Sequence, residues 1–205
     1  MQRPGYARHH TITHTANVNV ILKRYPNIEH GSLSGVHAIV VHQTDTSAAQ
    51  HTFNSYNAGG NGAHFLIDKD GTIYQTASMS KRCYHVGRLI RSKCLAIDKK
   101  TCTSPNMAKM LAMSWGNQIK AIDSDERTKE YPDRYPVNTD SIGIELVGKH
   151  IDDKIYEVVT AFQNNSLQWL VSELYKHFSL TSSDIYRHPT VSYKNPGEAS
   201  TATWK

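Results

Sequence analysis

Two histidines and two acids are the residues of this chain best placed to do chemistry. His42 ends the apolar, β-branched run of residues 36–41 (VHAIVV), where a buried strand gives way to Gln43-Thr44-Asp45-Thr46. Its imidazole would emerge at the edge of a sheet on a rigid support. His188 stands in Tyr186-Arg187-His188-Pro189, after a long helical pattern. Glu145 lies inside the otherwise apolar stretch IGIELVG (residues 142–148), where burying an acid is costly unless it is paired or used. Glu198 is the only acid after His188. A Zn²⁺ hydrolase needs about three protein ligands and an open position for water, together with a carboxylate that takes the proton from that water. Each residue alone admits a plainer role: a structural histidine for His42 and His188, a salt-bridge partner for Glu145, a surface acid beside Gly197 for Glu198.

The elements that must hold these residues follow from periodicity and turn chemistry. Residues 36–41 read as a buried strand, and Thr46 to about Tyr56 as a helix ending at Asn57-Ala58-Gly59-Gly60. His64-Phe65-Leu66-Ile67 and Thr72-Ile73-Tyr74-Gln75 flank an Asp-Gly turn, a strong hairpin signal. Residues 141–147 (SIGIELV) return to strand character. The clearest helix follows, with a capping box from Thr160 and Gln163 and a stripe of Leu167, Leu170, Val171, Leu174 and Phe178. That stripe is core packing. Residues 1–35 are polar and weakly periodic and read as an N-terminal extension to a domain of residues 36–205. Residues 88–138 carry charges, three prolines and one helix near 106–121, an insertion of the length that compact domains reserve for function or motion. The order of elements predicts a single α/β domain with a central mixed sheet flanked by helices.

Composition narrows the partners. The chain has 205 residues, enough for one well-packed domain, and a net charge of +5 that favours an anionic partner. The basic residues are scattered, and no zinc-finger spacing, RNA-binding aromatic motif or basic amphipathic helix is present, so nucleic acid is not expected. No run approaches the roughly 20 apolar residues that cross a bilayer, so no membrane insertion is expected. The start, MQRPGYARHH, has no apolar segment behind its charges and shows no signal peptide. Cys94 and Cys102 either close a small loop in an oxidising compartment or remain thiols with Cys83.

Five separated motifs occur in order: Val40-Val41-His42, Ala63–Gln75 (AHFLIDKDGTIYQ), Cys83–Gly87 (CYHVG), Asn138–Gly148 (NTDSIGIELVG) and a final His188. Together they resemble the zinc amidases of the N-acetylmuramoyl-L-alanine amidase type 2 family, over about residues 36–203. That family includes phage amidase lysozymes, bacterial muropeptide-recycling amidases and the peptidoglycan recognition proteins. The resemblance implies a mixed sheet with zinc and a peptidoglycan groove on one face. It implies cleavage of the amide between N-acetylmuramic acid and L-alanine.

On that resemblance His42 and His188 match the two histidine ligands, and Glu145 the general base of the bacterial branch. His64 and His85 match histidines that support the site or line the substrate groove, a structural role standing open for both. The third ligand of the family follows the second histidine by eight to ten residues, usually two after a lysine. Glu198 is ten residues beyond His188, and a carboxylate oxygen suits Zn²⁺ beside two imidazoles. Lys194, the candidate oxyanion-stabilising lysine, precedes it by four residues and not two.

Peptidoglycan or muropeptides are the implied partners, and the rival is a non-catalytic peptidoglycan-binding module on the same fold. For the setting, the insertion and the KNPGEASTATW tail favour an antibacterial effector of type VI secretion, with a cognate immunity protein as a further partner. It would be made in the cytoplasm and act in the periplasm or wall of a target cell. A phage endolysin or a recycling amidase is the alternative.

Overall fold

The computed structural model describes residues 18–102, 105–152 and 154–205. Their centre is a six-stranded mixed sheet in the order β1-β4-β3-β5-β2-β8: β1 (Val20–Leu22), β2 (Ala38–Gln43), β3 (Phe65–Ile67), β4 (Ile73–Gln75), β5 (Ser141–Leu146) and β8 (Ile185–Arg187). Only β3 and β4 pair antiparallel, as the Asp-Gly turn requires; the other pairs are parallel. A separate hairpin joins β6 (His150–Asp152) to β7 (Ile155–Tyr156).

Strand alternation divides the core into two layers. Ile39, Val41, Phe65, Ile67, Ile142, Ile144 and Leu146 face α5 (Ala161–Phe178), whose Leu167, Leu170, Val171 and Leu174 are buried against them. Full burial of each such side chain is worth roughly 1.5–3 kcal/mol. The Thr160–Gln163 capping box starts α5, and Gln163 also reaches across to the carbonyls of Ile67 and Val147, tying the helix to two strand ends. The intervening positions, Val40, Leu66 and Gly143 among them, face the other way. Leu66 packs with Phe53 and Tyr56 of α1 (Ala49–Ala58), and Val40 with Val86, Ile90 and Val191. His42 and Glu145 belong to this second face, being two residues beyond Val40 and Gly143.

Of the stretch 1–35, residues 1–17 lie outside the described residues. From Val18 on the chain joins the domain: β1 adds an edge strand beside β4, and Tyr25 and Ile28 are buried with Phe53. The described residues of 88–138 form three helices: α2 (Lys93–Ile97), α3 (Pro105–Leu111) and α4 (Trp115–Glu126). The single helix expected near 106–121 is broken between residues 111 and 115. The break folds α3 and α4 together, burying Met107, Met110 and Ile122 with Cys102 in a small core of their own. A Cys94–Cys102 disulfide closes that core, and Cys83 is a buried free thiol. No helix among the described residues is long and apolar enough to cross a membrane.

Candidate metal centre and active site

The register of the sheet brings the site together. His42 on β2 is directly opposite Glu145 on β5, and Val41 is opposite Arg187 on β8, so His188 begins one residue past the strand end at the level of His42. Three parallel strands therefore deliver His42, Glu145 and His188 to their carboxyl ends, where open α/β sheets bind ligands. His188 opens the short helix α6 (His188–Val191) with Pro189 behind it.

Glu198 arrives from the C-terminal tail, and the neighbours of the two histidines hold it there. The Gln43 side-chain oxygen accepts the Ala199 N–H at 3.3 Å. Arg187 donates to the carbonyls of Ala199 (2.8 Å) and Ala202 (2.7 Å). Gly197 lets the tail pass this close: a Cβ there would lie 2.0 Å from the Lys154 carbonyl oxygen. Glu198 Oε1 ends 2.8 Å from His188 Nδ1 and 3.4 Å from His42 Nδ1.

These three side chains are all buried, and one donor atom from each lies within 4.8 Å of the others. Burial, and next the neighbouring His188, push His42 down to about 4. Burial opposes the charge of Glu198, but the two imidazoles outweigh it and hold the carboxyl at about 2. The cluster thus sets an anionic Glu198 oxygen against a neutral His42, with His188 beside them.

The outer hydrogen bonds decide which ring nitrogens carry protons. His188 Nε2 is 2.9 Å from the Val86 carbonyl, which can only accept, so the proton is on Nε2 and the Nδ1 lone pair faces Glu198. Ser141 Oγ donates to the Val137 carbonyl at 2.6 Å, leaving Ser141 only acceptors to offer His85 Nε2 at 3.3 Å. His85 Nε2 is then the protonated nitrogen and His85 Nδ1 accepts from His42 Nε2 at 3.1 Å. That leaves the His42 Nδ1 lone pair directed at the same point. Two imidazole nitrogens and a carboxylate converge, an arrangement that a cation between them would satisfy. Two imidazoles and one carboxylate form a donor set that fits Zn²⁺, with each ring's second nitrogen anchored in the way metal-bound histidines require.

Glu145 opens onto the same cavity, and its Oε2 is buried without a hydrogen-bond partner among the described residues. Burial, and secondarily the charge of Glu198, raise it to about 8, with Lys194 pulling the other way. Lys194 is exposed and lines the cavity with Glu145 and His188.

The remaining two predicted residues sit differently. His85 touches both His42 and the cavity; Gly143 makes its place, since a Cβ there would lie 2.7 Å from His85 Cγ. His64 is fully buried behind it and does not line the cavity. Its Nδ1 accepts the Gly143 N–H at 3.0 Å and its Nε2 donates to the Lys81 carbonyl at 2.8 Å.

The cavity, about 1010 Å³, has walls that the sequence did not single out. Tyr56 and Thr52 come from α1, Tyr156 from the β6–β7 hairpin, and Tyr84 and Tyr193 from the loops around the cluster. Asn138 accepts the backbone N–H groups of both His85 (2.9 Å) and Val86 (2.8 Å), fixing the loop that anchors both histidine rings. Its place at the head of the NTDSIGIELVG motif was the available signal.

Comparisons with known proteins find the same fold in solved structures. The solved catalytic domain of XlyA is 21% identical, covering 86% of this chain and 88% of that one at a TM-score of 0.52. A mutant endolysin from Bacillus subtilis is 20% identical, with 89% and 88% covered and a TM-score of 0.51. AmpDh3 from Pseudomonas aeruginosa, solved in complex with anhydromuramic pentapeptide, is 17% identical over 76% of this chain and 51% of its own, at 0.50. No curated protein matches the chain by sequence. The N-acetylmuramoyl-L-alanine amidase family model matches residues 32–202, and the chain belongs to that family.

Proposed function

We propose that this protein hydrolyses the amide bond between N-acetylmuramic acid and L-alanine in peptidoglycan, with zinc held by His42, His188 and Glu198. The observation that carries the reading is the convergence of two imidazole nitrogens and an anionic carboxylate beside Glu145, whose Oε2 has no partner among the described residues. A zinc ion there supplies Lewis acidity, polarising a carbonyl and making a water acidic enough to attack near neutral pH.

The chain's own groups do the proton work. Glu145 opens onto the cavity beside the cluster, and burial raises it to about 8, within the range in which a carboxyl can both accept and return a proton. It takes the proton of the attacking water and delivers it to the departing L-alanine nitrogen. Lys194 places an ammonium on the cavity wall for the developing oxyanion. His85 and His64 hold the metal-binding face in position. The catalytic unit is residues 36–205 together with the preceding segment from Val18, whose strand β1 completes the sheet, and 88–138 is inserted into it. The muropeptide bound by AmpDh3 supports a substrate of the same class for this cavity.

For the setting we read an antibacterial wall-degrading effector acting in the periplasm or wall of a target cell, held in check by a cognate immunity protein. The Cys94–Cys102 disulfide supports an oxidising compartment, and the charge of +5 suits an anionic wall polymer. Digestion of purified peptidoglycan tests the activity: peptides with a free L-alanine amino terminus should appear while glycan strands stay whole. New reducing sugar ends, or cuts within the stem peptide, would refute it.

A further inference from the structure

The insertion sets an aromatic side chain, Trp115, against Tyr193 of the cavity wall, and the proposed chemistry uses neither. Tyr193 lines the cavity between Ser192 and Lys194, and its ring is held from two sides. The Arg91 guanidinium lies 4.7 Å from the ring centroid, and Arg91 Nε donates to the Ser192 carbonyl at 3.0 Å. Trp115, the first residue of α4, meets the Tyr193 ring at 5.6 Å and 87°. Trp115 is nevertheless 65% exposed, and Met113 beside it in the α3–α4 break is 44% exposed. Arg88, exposed on the same stretch of wall, has no acid within ion-pair distance among the described residues.

A large aromatic left in water next to a substrate cavity, braced by a second ring, matches one feature of a wall polymer. A pyranose ring offers an apolar C–H face with polar hydroxyls at its rim, and an indole offers a flat apolar face with one N–H donor. The polymer also carries charge where amides have been cut, because each released muramic acid exposes its lactyl carboxylate. Arg88 and Lys194 lie on the wall where such a group would be met.

We propose that Trp115, backed by Tyr193 and Arg91, is a sugar-stacking platform that binds the glycan strand outside the catalytic cavity. The inference rests on the amidase reading for its ligand class. It makes the insertion a device for holding polymeric wall, distinct from the residues that cut it.

The experiment uses the full chain and Trp115→Ala, with Trp115→Tyr as the conservative variant. Binding of zinc-free protein to peptide-free glycan strands is measured by sedimentation. Turnover by the zinc-loaded protein is measured on polymeric peptidoglycan and on a soluble N-acetylmuramoyl peptide. Trp115→Ala should weaken glycan binding and raise KM for the polymer by roughly tenfold, in line with one aromatic contact. It should leave turnover of the soluble fragment and the denaturation midpoint unchanged, and Trp115→Tyr should recover part of the loss. Equal glycan binding by Trp115→Ala and wild type would overturn the platform, as would equal losses on both substrates. Should wild type cut neither substrate, the amidase reading fails, while the sedimentation result still decides the platform.

Discussion

His42 and His85 share one proton across 3.1 Å, and the direction of that bond is set from the far side of His85 by Ser141. With Ser141 Oγ committed as donor to Val137, His85 must donate to Ser141 and accept from His42. His85 thereby fixes the His42 tautomer and aims its other nitrogen at Glu198. Outer partners of this kind are worth roughly 10–100-fold in metal affinity.

The first prediction is that His85→Ala lowers zinc affinity by about that 10–100-fold, read by chelator competition. The denaturation midpoint of the metal-free variant is measured alongside. A purely structural histidine would move that midpoint and leave zinc affinity alone, and that pattern would remove His85 from the positioning role.

The two acids should fail in different ways. Glu145→Gln keeps the side-chain shape but cannot accept a proton, so zinc should stay bound while turnover falls by roughly 10²–10⁴-fold. Glu198→Gln replaces an anionic oxygen with a neutral one next to His188 and His42, so zinc binding itself should weaken. Added zinc should then restore activity to Glu198→Gln and none to Glu145→Gln. Elemental analysis and wall turbidity, run together, separate the cases; tight zinc and full activity in Glu198→Gln would rule out the ligand assignment.

What was legible in the sequence was local. The Asp-Gly turn, the Thr160–Gln163 box and the α5 stripe each declare themselves within a few residues, and all three appear where expected. His42 and Glu145 were visible because one ends and the other interrupts an apolar strand, whereas His188 stood out only through the order of motifs it closes. The surroundings of the site were not legible, because they join positions far apart in the chain. Gln43 grips Ala199 from 156 residues away, and His85 meets His42 across 43. No periodicity encodes such pairs. The edge strand β1 also escaped notice: three half-exposed residues leave no alternation to read. The disulfide stayed open in the sequence because spacing alone cannot tell a bridge from two thiols; the fold brings the two Cα atoms to 5.4 Å.

The cysteines give a chemical check on that fold. Burial, with the charge of Glu29 adding to it, pushes the Cys83 thiol up to about 12, so its reactive thiolate is scarce at pH 8. Native protein prepared without reductant should therefore show no titratable thiol at pH 8. Denaturation should expose one, and reduction before denaturation should expose three. Rapid labelling of native protein would contradict either the burial of Cys83 or the Cys94–Cys102 pairing.

The last prediction concerns acid stability and isolates His64. Burial holds this imidazole at about 4, against an ordinary value near 6.5. The neutral ring accepts the Gly143 N–H on Nδ1, so a second proton there would face another donor. The unfolded chain gains a proton as pH falls through about 6.5, while the folded chain stays neutral until about 4. Between those values the unfolded state binds more protons, so His64 contributes stability that is present above about 6.5 and lost as pH falls toward 4. From pH 7.5 to 5 the loss attributable to this one group is ~2 kcal/mol. His42 and His85 are also pushed down by burial, so wild type alone cannot apportion the effect. His64→Gln can, because glutamine does not titrate. Urea denaturation of metal-free wild type and His64→Gln at pH 7.5, 6 and 5 should show the variant less stable at neutral pH but with a shallower decline. Parallel declines would mean that His64 titrates in the fold as it does in the unfolded chain, and that neither burial nor the Gly143 N–H holds it down.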